Sequence, residues 1–417
     1  MREEVYAVLL HGQHVGSLQR RDSFTKFVLD RDYWGRADRP VLGQWFEDHP
    51  RRQPHAVNHL PAWFSNLLPE GRLRELIARE QDVSTHQEID LLARIGRDLP
   101  GAVEVVLDPE DQQSLGVRTE LLHVVDQGGP GGRGDPVQPD LRFSLAGLAL
   151  KLSMRWEEER LALPAHGQTG EWILKTPDTQ YPDLPANEFA VMGLARAVGI
   201  AVPETRMVHR DQAPDLSDRF WPSHEGQAYA IRRFDRSPGG RVHMEDLAQV
   251  LGKSGAGEGK YQSTVQTVAG LAYRGRDHES LREMVRRATF NLLVGNGDAH
   301  LKNWSLIYPD RRRARLSPAY DLVCTAVYLP SPEDPDLGLP FLGARRLSQV
   351  TRDHCAELQR RLGVGKEDVL DVVDDTVQRF CDLWHTASQE AWAEGIPRPV
   401  VRWIDDHLRD TRARLGC

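Results

Sequence analysis

Residues 295–303 read Gly-Asn-Gly-Asp-Ala-His-Leu-Lys-Asn, and Asp321 follows further along the chain. Within this stretch Asp298 and Asn303 have the spacing of the catalytic aspartate and the metal-binding asparagine in a kinase catalytic loop. Phosphoryl transfer needs a carboxylate that accepts the proton of the attacking hydroxyl, and oxygen ligands for Mg²⁺ between the phosphates. A turn whose polar side chains satisfy only the local backbone is the alternative. The stretch predicts a phosphotransferase site with Asp298 as base, and with Asn303 and Asp321 as metal ligands.

A lysine upstream of this loop supports the interpretation. Residues 172–175 read as a strand that ends in Lys175, and a helix is predicted over residues 185–197 with Gly199 as its terminator. Only seven of the 53 basic residues are lysines, so the chain keeps a compact ammonium group at few places. Such a group suits a phosphate contact, although an exposed lysine at a strand end is the ordinary alternative. Glu188, in the first turn of the helix, is a candidate ion-pair partner for Lys175.

The chain before this strand divides into a small domain and a linker. Strands are predicted at residues 5–10, 15–18 and 101–107, and helices at residues 63–68, 70–80 and 87–95. Together they indicate an α/β domain over residues 1–110. Residues 111–143 include a run rich in Gly and Pro that cannot bury a core, and they are predicted to be a flexible linker.

Two further segments complete the predicted organisation. Residues 144–240 form the nucleotide-binding part, with a strand at residues 228–231, and residues 241–417 form a helical lobe that carries the catalytic loop. In that lobe, capping-box spacing predicts that a helix begins at Ser280, and apolar residues at helical spacing after Val369 indicate a packed bundle.

Composition excludes several classes of protein. The 417 residues contain no apolar run of the roughly 18 residues that a membrane helix needs, and the acidic N-terminus does not resemble a signal peptide. We therefore expect a cytoplasmic protein without membrane contact. The four cysteines lack the spacing of a disulfide framework or a zinc site. A net charge of −8 argues against a general nucleic-acid binder.

Several stretches in order closely resemble HipA-family kinases over nearly the whole chain. They are GNGDAHLKN, AYDLV, WILKTP, LPANEFAVMGLARAVGIAVPET, IRRFDR, HMEDLAQVLG and, for the N-terminal subdomain, FSNLLPEGRLREL. The resemblance implies an α/β (α+β), two-lobed protein-kinase-like fold with a small N-terminal α/β subdomain and a mainly helical C-terminal lobe. It also implies serine/threonine phosphorylation with ATP and Mg²⁺.

The family's biology adds expectations about partners. The resemblance implies a growth-inhibiting toxin that a DNA-binding antitoxin of HipB type neutralises, so that nucleic acid is met only through the antitoxin. It also implies a protein substrate, which in the best-known members is an aminoacyl-tRNA synthetase.

The resemblance also assigns roles to individual residues. Asp298 matches the catalytic base, Asn303 and Asp321 match the Mg²⁺ ligands, and Lys175 matches the lysine that contacts ATP phosphates. Residues 232–234 resemble the hinge that meets the adenine. The other ATP-binding residues that it implies are Ala146, Gly147, Leu148, Ala149, Leu150, Lys151, Arg232, Arg233, Phe234, His300, Lys302 and Tyr320, together with Asn303 and Asp321.

Residues 144–151 resemble the family's phosphate loop. Ser144 matches a serine that is autophosphorylated in the family, where the modification switches the kinase off, whereas an ordinary loop serine is the alternative. Lys151 could neutralise phosphate charge. Ala149 stands where the family commonly carries Gln, which removes a hydrogen-bonding side chain from the loop.

Residues 252–260 are rich in Gly and contain two lysines, but they do not fit the phosphate-loop pattern G-x-x-x-x-G-K-[ST] and are predicted to be a mobile surface loop.

Two other functions stay open at this point. A small-molecule phosphotransferase would use a similar Asp-to-Asn loop, and a non-catalytic partner of a DNA-bound repressor would need no catalysis. The complete set Lys175, Asp298, Asn303 and Asp321 favours a kinase.

Overall fold

The computed structural model of the protein describes residues 3–107, 150–164, 169–255, 257–329, 334–387 and 395–416. The predicted linker over residues 111–143 lies outside the described residues, as do Ser144 and the predicted ATP-binding residues 146–149. Within the described ranges, no helix is long and apolar enough to cross a membrane.

The N-terminal domain is built on a five-stranded antiparallel sheet with the order β4-β3-β2-β1-β5. Its strands are β1 Glu3–Leu10, β2 Gln13–Arg21, β3 Phe24–Leu29, β4 His55–Val57 and β5 Val103–Leu107. The tight connection between β1 and β2 uses His11 and Gly12, whose φ angles are both positive, as a two-residue hairpin with right-handed strand twist requires. The two N-terminal strands predicted from the sequence are confirmed.

Five helices accompany this sheet in the described residues of the domain. They are α1 Arg31–Gly35, α2 Gln44–Asp48, α3 Ala62–Ser65, α4 Gly71–Glu80 and α5 Glu88–Ile95. The helix predicted over residues 63–68 was too long, because the observed helix ends at Ser65. Pro69 disfavours helical geometry in the residue before it, which explains why this short helix does not run on into α4.

The predicted nucleotide-binding part contains a second five-stranded sheet, with the order β7-β6-β8-β10-β9. Its strands are β6 Lys151–Glu157, β7 Arg160–Ala162, β8 Trp172–Lys175, β9 Thr205–His209 and β10 Gln227–Arg232, and α6 Leu184–Ala197 packs against it. Lys151 and Lys175 are direct partners across the antiparallel pair β6–β8. Residues directly opposite each other point to the same face, so the register places two ammonium groups side by side.

The C-terminal part combines helices with small sheets. Its helices are α7 Leu247–Val250, α8 Val265–Ala272, α9 His278–Val294, α10 Arg352–Leu362, α11 Leu370–Ala387 and α12 Arg398–Leu415. Its strands are β11 Arg236–Ser237, β12 Gly240–Arg241, β13 His243–Asp246, β14 Ser305–Tyr308, β15 Arg315–Leu316, β16 Asp336–Phe341 and β17 Ala344–Arg346. The predicted bundle is confirmed, since Val369, Val373, Val377, Phe380 and Trp384 are buried. The short strands after the catalytic loop were not predicted.

The helix α9 begins two residues before Ser280. Asp277 is its N-cap, and the Asp277 carboxylate accepts a hydrogen bond of 2.9 Å from the backbone nitrogen of Ser280. The predicted capping box at Ser280 was therefore wrong, because the helix begins earlier and Ser280 lies in its first turn, where its own backbone nitrogen is the donor that Asp277 satisfies. The other end of α9 is closed by Gly295 in the left-handed conformation, with φ 69°.

Two hydrophobic cores hold the molecule together. One joins the N-terminal sheet to the nucleotide-binding sheet, because Leu18 and Phe27 belong to the same buried cluster as Leu152 and Leu174. The other joins α6 to the C-terminal helices, including α9 and α11. This sheet therefore lies between two packed layers, with Leu152 and Leu174 facing the first core and Ile173 and Tyr229 facing the second. Lys175 is the direct partner of Tyr229 and lies on the same face of the sheet.

A buried histidine at the contact between the N-terminal domain and β13 gives a prediction about pH. His243 Nε2 lies 2.8 Å from the carbonyl oxygen of Leu42, and the backbone nitrogen of Ala102 lies 3.4 Å from Nδ1, so the neutral ring fits this environment. Burial lowers the pKa of His243 to about 4. Between pH 6.5 and 4, the histidine is protonated in the unfolded chain but stays neutral in the folded protein. Proton binding therefore favours the unfolded chain, and the unfolding free energy should fall by roughly 3 kcal/mol as the pH falls through that window.

The measurement is urea denaturation of the unmutated protein and of His243→Gln at several pH values from 7 to 4. The carboxylates are the same in both proteins, so their contribution cancels when the two unfolding free energies are subtracted. We expect the difference in unfolding free energy to favour the glutamine variant increasingly as the pH falls. A difference that does not change with pH would contradict a neutral, buried His243.

Candidate active site

The predicted catalytic loop joins α9 to β14 and is held by its own asparagines. Asn296 Nδ2 donates to Asn291 Oδ1 at 3.0 Å, and Asn296 Oδ1 accepts from the backbone nitrogen of Asp298 at 3.1 Å. Asn303 Nδ2 donates to the backbone oxygen of Asp298 at 2.7 Å. The last bond uses the amide nitrogen of Asn303 and leaves its oxygen as the atom that can bind a cation.

Asp298 lies at the surface of a cleft, with 42% of its side chain exposed. Its Oδ1 accepts a hydrogen bond of 3.0 Å from the hydroxyl of Tyr261 and lies 3.7 Å from His300 Nε2. Burial lowers the pKa of His300, so the ring beside Asp298 is neutral near pH 7. A half-exposed carboxylate with only one of its oxygens engaged by Tyr261 is suited to accept a proton from an incoming hydroxyl.

Four charged side chains meet deeper in the same cleft. Lys151 Nζ lies 2.8 Å from Asp321 Oδ2, Lys175 Nζ lies 2.5 Å from Glu188 Oε1, and Lys175 also bonds to Asp321 Oδ1. The ion pair between Lys175 and Glu188, predicted from the sequence, is present. Asp321 has φ 55°, a left-handed conformation that aspartate tolerates better than most residues.

The charges of this cluster depend on each other. Burial alone would raise the pKa of Asp321, but the two lysines hold it well below its usual range. Burial likewise opposes the charge of Lys175, yet Asp321 and Glu188 raise its pKa to about 12. Burial lowers the pKa of Lys151, whose main counter-charge is Asp321 alone. The cluster therefore consists of two cations and two anions that are largely buried, and each charge is stabilised by at least one opposite charge.

The cleft that contains these groups has a volume of about 410 Å³. It is lined by Lys151, Lys175, Glu188, Asp298, His300, Asn303 and Asp321, and also by Lys260, which the sequence reasoning set aside. A smaller inner cavity of about 40 Å³ continues from it and is lined by Ile173, Ile231, Met244, Lys302 and Tyr320. The predicted residues on three separate segments are thus brought together in one place.

The side chains of the predicted hinge do not reach this cleft. Arg232 is exposed and lies 3.6 Å from Glu204, while Arg233 is buried and forms ion pairs of 3.0 Å with Asp98 and 2.9 Å with Asp235. The buried guanidinium of Arg233 needs carboxylate partners and finds them in the contact with the N-terminal domain. A contact of residues 232–234 with adenine would therefore use backbone groups, and it stays a prediction.

Three other predicted residues have well-defined environments. The ring of Phe234 lies 5.7 Å from that of Tyr320, so it remains close to the inner cavity. The hydroxyl of Tyr320 donates to the backbone oxygen of Lys302 at 2.8 Å. The side chain of Leu150 packs in the core shared with the N-terminal domain, so an ATP contact of this residue would use its backbone and stays a prediction.

Residues 252–260, predicted as a surface loop, are exposed at Ser254, Gly257 and Glu258 but buried at Gly255. A β-carbon on Gly255 would lie 1.9 Å from Asn66 Oδ1 and 2.7 Å from Lys302 Cδ, so this glycine packs between the N-terminal domain and the catalytic loop. Lys302 itself is buried, with Nζ 2.7 Å from Glu70 Oε1, so in this structure its amine contacts a carboxylate of the N-terminal domain.

The residues present fit a polyphosphate and a divalent cation. His300 Nδ1 is buried and has no hydrogen-bond partner within the described part of the chain, which leaves a polar atom for a ligand. Asp321 and the amide oxygen of Asn303 supply oxygen ligands, and Mg²⁺ in phosphotransferases takes one or two protein ligands, with phosphates and water as the others. Among the described residues no cluster of three or more His, Cys, Asp and Glu could hold a metal by itself.

The close contact between β16 and the catalytic loop gives a second prediction. A β-carbon on Gly338 would lie 2.5 Å from the backbone nitrogen of Ala299. We expect Gly338→Ala to displace the loop, to lower the unfolding free energy by about 1–3 kcal/mol and to lower activity. Gly270→Ala, where nothing lies within 4 Å of the added carbon, is the control. Urea denaturation and a phosphoryl-transfer assay measure both effects, and equal behaviour of the two variants would contradict the close contact.

The functional residues that sequence reasoning missed are Tyr261, Lys260 and Glu70. Lys260 carried a usable signal, since it is one of only seven lysines in the chain. Tyr261 and Glu70 carried none, because their roles depend on contacts between segments far apart in the sequence.

Comparisons with known proteins agree with this geometry. Residues 143–384 match the family described as HipA-like C-terminal domain, and residues 6–106 match the HipA N-terminal domain. The chain is 37% identical over 424 residues to Y4dM of Sinorhizobium fredii, which bears the name of a kinase, with 97% of this chain and 96% of that protein covered.

Two further relatives come from Shewanella oneidensis. Its serine/threonine-protein kinase toxin HipA is 28% identical over 311 residues, which cover 65% of this chain and 64% of that protein. A solved structure of HipA with HipB and operator DNA superimposes with a TM-score of 0.72 at 22% identity, and covers 99% of this chain and 97% of that chain. At that identity the superposition shows that the fold is the same.

Proposed function

Because this chain belongs to the HipA family, we propose that it is a serine/threonine protein kinase that transfers the γ-phosphoryl group of ATP to a protein. The observation that carries the proposal is the convergence of Lys151, Lys175 and Asp321 with Asp298 in one cleft. A paired cation site beside a half-exposed carboxylate is the arrangement that phosphoryl transfer to a hydroxyl requires.

Each group then has a chemical task. The hydroxyl of the protein substrate attacks the γ-phosphorus, Asp298 accepts the hydroxyl proton, the bond to the bridging oxygen breaks, and ADP leaves. Lys151 and Lys175 contact the phosphate oxygens and reduce their negative charge, while Glu188 keeps Lys175 in place. Asn303 and Asp321 would hold Mg²⁺, which when bound neutralises charge between the phosphates. His300 would donate to a phosphate oxygen.

Membership of the family also supports a proposal about the partners of the protein. We propose that the protein acts in the cytoplasm as a growth-inhibiting toxin, and that a DNA-binding antitoxin of HipB type neutralises it. An aminoacyl-tRNA synthetase is the first protein acceptor to test, and operator DNA would be contacted through the antitoxin.

Autophosphorylation of Ser144 is a further part of the proposal. Its support is the resemblance of residues 144–151 to the family's phosphate loop, which ends at Lys151 beside Asp321. A phosphate group adds up to about two negative charges, and next to the phosphates of ATP these charges would repel the nucleotide. We therefore expect phosphorylation of Ser144 to lower kinase activity.

The test is incubation of phosphatase-treated protein with Mg²⁺ and ATP, alone and with panels of protein and small-molecule acceptors, followed by phosphopeptide mass spectrometry. We expect phosphoserine or phosphothreonine on a protein acceptor and on Ser144. Phosphate on small molecules only would indicate a small-molecule phosphotransferase. Absence of both ATP binding and ATP turnover would indicate a non-catalytic partner of a repressor.

A further inference from the structure

A carboxylate of the N-terminal domain joins two segments on either side of the proposed base. Glu70, the residue before α4, has Oε1 at 2.7 Å from Lys302 Nζ and Oε2 at 3.3 Å from Lys260 Nζ. All three side chains are at least four-fifths buried, with Glu70 17% exposed. Burial opposes the charge of Glu70, but the two lysines hold its pKa below its ordinary value. One carboxylate therefore holds the catalytic loop, through Lys302, and the segment that precedes α8, through Lys260.

The residue after Lys260 reaches the proposed base itself. Tyr261 donates its hydroxyl to Asp298 Oδ1 at 3.0 Å, and its ring lies edge-on to His300 with centroids 5.3 Å apart. Burial, and then the Asp298 carboxylate, raise the pKa of Tyr261 above its ordinary value, so the hydroxyl keeps its proton and remains a donor. The bond engages one carboxylate oxygen and leaves the other for the substrate hydroxyl.

The segment that precedes Lys260 and Tyr261 is confined by close contacts. A β-carbon on Gly259 would lie 2.2 Å from the backbone oxygen of Ser254, and Asn66 Nδ2 donates to the backbone oxygen of Lys253 at 2.8 Å. The backbone that leads to Tyr261 is therefore held in two ways, by the close approach of Gly259 to Ser254 and by the ion pair of Lys260 with Glu70.

We propose that Tyr261 is a positioning residue for Asp298, and that Glu70 of the N-terminal domain holds Tyr261 in place through Lys260. The inference rests on the proposed kinase function, because the orientation of Asp298 matters for catalysis only if Asp298 is the base. In this arrangement the N-terminal domain contributes to the catalytic apparatus through this ion pair and the hydrogen bond from Tyr261 to Asp298.

The first test replaces the hydroxyl alone. Tyr261→Phe keeps the ring that packs on His300, and Tyr273→Phe, a half-buried tyrosine at the end of α8, is the matched control. We expect Tyr261→Phe to lower kcat about tenfold, the size of one hydrogen bond to a charged group. The KM for ATP and the melting temperature should stay unchanged, because the nucleotide contacts other residues.

The second test addresses the link to the N-terminal domain. Glu70→Gln removes the charge that holds Lys260 and Lys302, and Glu75→Gln, exposed on the same helix, is its control. If Glu70 acts through Tyr261, the double variant Glu70→Gln with Tyr261→Phe should have the kcat of the less active single variant. Independent effects would instead lower kcat by the product of the two single fold-losses. A melting curve for each variant separates this effect from unfolding.

The outcomes separate the inference from the function on which it rests. An unmutated protein that phosphorylates no acceptor would overturn both. A working kinase in which Tyr261→Phe keeps its full kcat would overturn the positioning role and leave the kinase intact. Multiplying losses in the double variant would overturn the connection between Glu70 and Tyr261, and a kcat equal to that of the weaker single variant would support it.

Discussion

Asp298→Asn is expected to lower kcat for phosphoryl transfer by about 10²- to 10³-fold, which is the contribution of a general base that is placed against its proton donor. The amide has nearly the shape of the carboxylate but cannot accept the proton of the substrate hydroxyl. Because Asp298 is half-exposed and outside the lysine cluster, ATP affinity should be preserved. Steady-state kinetics with labelled ATP give kcat, and calorimetric titration with Mg²⁺ and ATP gives the affinity.

Asp336→Asn is a suitable control, because this carboxylate lines the same cleft and is largely exposed, with 77% of its side chain accessible. It should retain most of the activity. An Asp298→Asn variant that transfers phosphate at an undiminished rate would exclude Asp298 as the base, whatever the behaviour of the control.

Lys175→Met is expected to remove both activity and stability. The change leaves Glu188 without its 2.5 Å partner in a buried place, and it leaves Asp321 with Lys151 alone. Loss of one member of a buried ion pair costs about 3–5 kcal/mol, so the urea midpoint should fall markedly. Affinity for ATP should also fall, because one of the two ammonium groups that would contact the phosphates is gone.

Lys366→Met, on an exposed lysine outside the cleft, controls for the general effect of replacing a lysine. Glu188→Gln combined with Lys175→Met removes the stranded charge, so this pair should recover part of the stability but none of the ATP affinity. Recovery of ATP affinity in that double variant would show that Lys175 serves the fold and not the nucleotide.

The sequence was informative where function depends on local spacing. The spacing of Asp298 and Asn303, the strand that ends in Lys175 and the helix that begins near Glu188 are properties of short segments, and all of them are found where they were predicted. The strand periodicity also located β1, β2, β8 and β10 correctly.

Sequence reasoning failed where a residue's partner is distant. The ion pair of Arg233 was not predicted, because its partner Asp98 is 135 positions away and only the packed fold reveals that contact. Glycine content predicted a surface loop at residues 252–260, but it could not predict that Gly255 packs against Asn66 and Lys302. Hydrogen bonds such as that from Tyr261 to Asp298 leave no periodic signal in the sequence.

The pairing of Lys151 with Lys175 across β6 and β8 has an evolutionary consequence. Neighbouring residues of a strand point to opposite faces, so the loss or gain of one residue inside either strand would move one amine to the other side of the sheet. All four residues of β8 and the first four of β6 are buried, so substitutions there must also preserve the packing. Homologous genes should therefore accept apolar substitutions of similar size in both strands, while insertions and deletions of single codons there should be strongly selected against.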